Sequence, residues 1–134
     1  MKKILLIFAL IIGCAFAANA DVFKYKSTAI SMRTLNDNGR WSNWSDWEDC
    51  SVLVVINIDK DQINIYSAEP QEFDIYEAGD GFERDAGNGE TWTLKCVDAD
   101  GLRCEVRIRV QDDGQCQLYV DYSDLSYVYN IEAK

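Results

Sequence analysis

Residues 91–111 read TWTLKCVDADGLRCEVRIRVQ. Side chains two apart along an extended strand share a face, so Trp92, Leu94 and Cys96 point one way. After Ala99-Asp100-Gly101, Leu102, Cys104, Val106, Ile108 and Val110 again share one side, and Arg103, Glu105, Arg107 and Arg109 take the other. An Asp-Gly turn between two alternating runs is the signature of a β-hairpin. With a three-residue loop, Cys96 falls directly opposite Cys104.

The same rhythm runs through the chain. Short β-branched and aromatic runs alternate with clusters of Asp, Gly and Asn, and there is one proline. The pattern predicts strands at 22–33, 51–58, 62–67, 71–78, 91–97, 102–111, 115–122 and 126–132. Tight turns are expected at Asp59-Lys60-Asp61, Ala99-Asp100-Gly101 and Asp112-Asp113-Gly114. Two connections are long, 34–50 and 79–90. No apolar repeat of helical period persists, so helix should be a minor component. The expected fold is all-β, an antiparallel up-and-down meander of eight strands. A closed barrel is preferred over a sandwich because closure removes exposed sheet edges.

The N-terminus carries a different message. MKKILLIFALIIGCAFAANA has two lysines, an apolar run and Ala18-Asn19-Ala20 before Asp21. That is the layout of a secretory signal peptide, and the run is too short to span a bilayer. Residues 1–20 are therefore read as a signal and 21–134 as one domain, exported to a bacterial periplasm or beyond. Ile11-Ile12-Gly13-Cys14 resembles a lipoprotein lipobox, which would anchor the product to a membrane through Cys14. Apolar residues following Cys14 place soluble export first.

Removing the two n-region lysines and no acid leaves 11 bases against 23 acids, a net charge of −12. Such a chain repels phosphate backbones, which argues against nucleic-acid partners. The absence of histidine excludes imidazole-based triads and His-containing zinc sites. No Cys-x-x-Cys pair, EF-hand run, nucleophile elbow or P-loop occurs. The sequence thus points to a non-enzymatic protein with no cofactor and no metal. Cys50, Cys96, Cys104 and Cys116 all project inward by alternation. They are open to two readings: disulfides, with Cys96–Cys104 the pair geometry favours, or buried thiols acting as small hydrophobes.

In strand count and size, the mature chain resembles the small barrels of the lipocalin and fatty-acid-binding type, and Gly39-Arg40-Trp41 is similar to the lipocalin Gly-x-Trp signature. The resemblance implies a barrel that takes a small apolar ligand in its mouth.

One stretch breaks the polar character of its loop. Residues 40–50 read RWSNWSDWEDC, with Trp41, Trp44 and Trp47 three apart. Trp-Ser-x-Trp-Ser-x-Trp resembles the tryptophan motif of thrombospondin type 1 repeats, in which indoles stack between arginines. The match is local, the rest of that family's pattern is absent, and the similarity is read as convergence. It suggests a partial ladder with Arg107 and Arg109, and Arg103 farther along. Three residues per turn would align the indoles on one side. That side is either core capping the barrel mouth or an exposed recognition surface. Trp47 and Trp92 are expected to be the most buried, with Trp41 and Trp44 at the rim of a binding site and Trp47 anchoring the loop. The reading is a binding protein for a small apolar ligand or glycan. The alternative is a protein–protein module, such as an inhibitor or envelope component, that works through its loops.

Overall fold

The computed structural model describes residues 22–134. The proposed signal peptide, its cleavage site and Cys14 lie outside the described residues. Ten strands follow in order: β1 (Val22–Thr34), β2 (Glu48–Asp49), β3 (Leu53–Asn57), β4 (Gln62–Ile65), β5 (Gln71–Ala78), β6 (Glu83–Arg84), β7 (Gly89–Asp98), β8 (Arg103–Gln111), β9 (Cys116–Asp121) and β10 (Leu125–Ala133). Eight of them form an antiparallel meander in which each strand pairs with the next, and β10 returns to pair with β1. The barrel is closed. Two extra strands of two residues each, β2 and β6, add to β1 and β7 within the two long connections. No helix occurs among the described residues.

The hairpin that opened the reading forms with the expected register. Cys96 faces Cys104, flanked by Lys95 opposite Glu105 and Leu94 opposite Val106. Its turn is closed by the Asp98 N–H donating to the Leu102 carbonyl at 2.9 Å, while Asp98 Oδ1 accepts from the Asp100 and Leu102 amides. Gly101 sits at φ 84°, left-handed backbone that a side chain resists. The β8–β9 turn repeats the device with Gly114 at φ 92°.

Inward residues fill the barrel. Phe23, Tyr25, Phe73, Trp92 and Leu118 are among the large side chains with essentially no exposure, packed with Val54, Ile56, Ile63, Leu94, Val106 and Ile108. Trp92 also donates its indole N–H to the Gly79 carbonyl at 2.9 Å, so its polar atom is satisfied.

Two strands depart from simple alternation: β5 shifts register against β7 between Ile75 and Glu77, and β1 does so where it matters for the surface. Its register against β10 shifts between Ser27 and Ala29, leaving Thr28 as a bulge. A bulge inserts one residue and reverses which face later side chains take. Before it, Phe23 and Tyr25 point inward. After it, Ile30 faces buried Tyr129 while Ser31 and Arg33 turn outward opposite Val128 and Ser126.

Candidate functional site

The bulge creates a second, smaller buried zone on the outside of the barrel. Ser31, Val128 and Ser126 are nearly inaccessible although they face away from the core, because the 35–49 segment folds over them. A short hairpin sends this segment back: the Asn36 amide donates to the Arg40 carbonyl at 2.8 Å, and Gly39 turns the chain at φ 81°.

The Trp-Ser-x repeat then has a structural meaning. The Ser42 N–H donates to the Thr34 carbonyl, and Ser42 Oγ accepts from the Thr34 N–H at 3.0 Å. Three residues on, the Ser45 N–H donates to the Met32 carbonyl, and Ser45 Oγ accepts from the Met32 N–H at 2.9 Å. Each serine therefore satisfies both backbone groups of one β1 residue. Three loop residues advance the contact by two strand residues. The Ser31 hydroxyl completes the attachment by donating to the Ser45 carbonyl at 2.6 Å.

This attachment lays the indoles on the outer wall. The Arg33 guanidinium lies over Trp41 at 4.6 Å and over Trp44 at 4.8 Å from the ring centroids, so one cation serves both indoles. Trp44 meets Tyr119 edge-on, with centroids 6.1 Å apart and planes at 71°. Arg107 stacks on Tyr119 at 4.2 Å and pairs with Asp121, whose other oxygen accepts from the Ser126 hydroxyl at 2.6 Å. A continuous ladder thus runs Trp41, Arg33, Trp44, Tyr119, Arg107, drawn from the loop, β1, β9 and β8.

Several expectations are corrected here. Trp47 is not a buried anchor: 49% of it is exposed, against 37% each for Trp41 and Trp44 and none for Trp92. The serines and the pairing of Glu48 and Asp49 with Ile30 and Ala29 fix the loop instead. Nor do Arg107 and Arg109 flank the tryptophans. Because the loop returns along β1, the nearest outward guanidinium is that of Arg33, whose outward aim depends on the bulge. Arg109 bonds Asp85 and Asn88, and Arg103 stacks on Tyr76 at 5.5 Å. The indoles occupy the barrel wall and do not cap its mouth.

At the ends of the barrel the surface is shallow. One depression of about 390 Å³ lies among Pro70, Phe73, Asp98, Tyr122, Leu125 and Tyr127. Gln71, which lines it, joins Tyr127 and Tyr129 through its side-chain amide. Among the described residues no group of three or more Cys, Asp or Glu side chains is arranged to hold a metal ion.

The four cysteines among the described residues are unbridged in this structure. Cys96 and Cys104 are buried, and burial pushes them up to about 12 and about 11. Cys50 and Cys116 are half-buried at the margin of the core. Asp98 and Leu102 close the hairpin as a hydrogen-bonded pair, so Cys96 and Cys104, two steps away, are one too. Such pairs have the wider Cα spacing of about 5.5 Å, still within bridging range.

No protein-family model matches the chain, and no significant match occurs among curated proteins or solved structures. Gly39-Arg40-Trp41, the triplet similar to the lipocalin signature, follows β1 instead of opening it.

Proposed function

We propose that the chain is an exported, non-enzymatic binding protein that recognises a glycan on its outer wall through Trp41 and Trp44. The observation that carries this reading is a pair of indoles held rigidly at 37% exposure on a wall already stiffened by the sheet. Large aromatic side chains are normally withdrawn from water, and a fixed exposed pair supplies flat apolar surface at little ordering cost. A sugar ring offers a matching surface: an apolar C–H face edged by hydroxyls. Asn43 and Asp46, exposed neighbours of the indoles in sequence, offer polar groups to such an edge. The packed interior weighs against an enclosed apolar ligand, for which the resemblance to lipocalins had raised the expectation.

A protein partner is the second reading. Tyr66, Tyr76 and Leu102 are each more than half exposed, and they lie outside the Trp loop. Titration with neutral and acidic oligosaccharides, followed by tryptophan emission, separates the two. Saturable change in the native protein that Trp41→Ala and Trp44→Ala abolish supports the glycan reading. Emission that no oligosaccharide perturbs removes it and favours the protein partner.

A further inference from the structure

We propose that the sugar recognised at this platform is acidic, with its carboxylate held by Arg33 and its ring against Trp41. The inference rests on the glycan reading and narrows it to uronate-type residues.

Arg33 is the observation. Its Nε is buried with no hydrogen-bond partner. Among the described residues its guanidinium also forms no ion pair, whereas Arg107 and Arg109 on the neighbouring wall are bound to Asp121 and Asp85. The nearby carboxylate of Asp121 is taken instead by Arg107 and the Ser126 hydroxyl. Stacking uses the flat face of a guanidinium and leaves its in-plane N–H groups uncommitted. With the guanidinium stacked on Trp41 and Trp44 and its Nε buried, the edge formed by the two terminal nitrogens is the part an anion meets. That edge suits a planar carboxylate, which accepts two parallel N–H bonds. The clamp also removes rotamer freedom before the ligand arrives, so less is lost on binding.

The net charge of −10 narrows the class further. A densely sulfated or phosphorylated polymer would meet long-range repulsion from the whole protein. A single carboxylate on an otherwise neutral glycan exploits one short-range contact, and the ring's apolar face covers the exposed side of Trp41.

The test compares an aldobiouronic acid, one uronate joined to one neutral sugar, with its methyl ester, which has the same sugars but no carboxylate charge, and with a neutral cello-oligosaccharide. Binding is read from tryptophan emission at neutral pH. The acid should bind about tenfold or more tighter than the ester, as expected for one charge-assisted pair. Arg33→Lys should lower the acid-to-ester affinity ratio toward one, because an ammonium cannot reproduce the two parallel N–H bonds of a guanidinium. Equal binding of acid and ester would overturn the inference while leaving the glycan platform in place. Binding of the cello-oligosaccharide alone would do the same. No response to any of the three would overturn both. Should Arg33→Lys disturb the loop, seen as a shifted melting temperature, the acid-to-ester ratio of the native protein decides the matter.

Discussion

The Ser31 hydroxyl donates to the Ser45 carbonyl across 2.6 Å, on a face of β1 that points away from the core. Ser31 is almost fully buried there, because the loop that carries Ser45 lies over it. Ser31→Ala would leave a buried carbonyl without this donor. The expected cost is about 1 kcal/mol. Hydrogen exchange should quicken at the amides of Ser42 and Ser45 and stay unchanged in β7 and β8. Uniform acceleration across the barrel would show that the loop is not a separate unit.

The tryptophans should divide sharply in urea unfolding. Trp92→Ala removes a fully buried indole and its bond to Gly79, at a cost of about 3–5 kcal/mol. Trp47→Ala gives up a half-exposed side chain and should cost about 1 kcal/mol or less. A loss at Trp47 as large as that at Trp92 would restore it as an anchor and contradict the placement described above.

The β5–β7 connection is clamped by charge. The hydrogen bond from Arg109 Nε, at 2.8 Å, is the main reason the Asp85 carboxyl is lowered from 3.8 to about 2. Asp85 also accepts from the Gly87 amide and the Thr91 hydroxyl. A depressed carboxyl stabilises the folded loop above its unfolded value and loses that contribution as protons bind. Protection of the 85–89 amides should therefore hold above about pH 4 and fall as pH drops toward about 2. Asp85→Asn should flatten this pH dependence. Its persistence in that variant would assign the effect to another group.

The cysteines offer a test with the opposite sign. Burial raises Cys96 to about 12 and Cys104 to about 11, so the native state retains protons that an unfolded chain releases above about 9. Their contribution to stability is complete below that value and declines as pH climbs through 11 to 12. At pH 8 an alkylating reagent should reach Cys50 and Cys116 first, and Cys96 and Cys104 only after unfolding. Failure to label this pair in urea without reductant would reveal a Cys96–Cys104 bridge.

Most of the barrel was legible because period-two alternation and Asp-Gly turns are local signals. The 91–111 hairpin even yielded its register, since loop length alone sets the pairing. The site was less legible for a physical reason. A single bulged residue, Thr28, decides that Arg33 points outward, and a bulge leaves little trace in composition. Without it, Arg33 would sit in phase with Phe23 and Tyr25 and face inward, whereas Arg107 and Arg109 are outward by simple alternation. The Trp-Ser-x spacing did announce that the indoles act together. It was the serines, docking twice each on β1, that revealed how.

The central claim is that Trp41 and Trp44 form a recognition surface and not a displaced piece of core. Oligosaccharide affinity and unfolding free energy, measured together on Trp41→Ala and Trp44→Ala, test it most directly. The account predicts a tenfold or greater loss of affinity with stability reduced by only about 1 kcal/mol, the scale of one exposed cation–π contact. Affinity unchanged, with stability lowered by about 3 kcal/mol or more as for a buried aromatic, would contradict it.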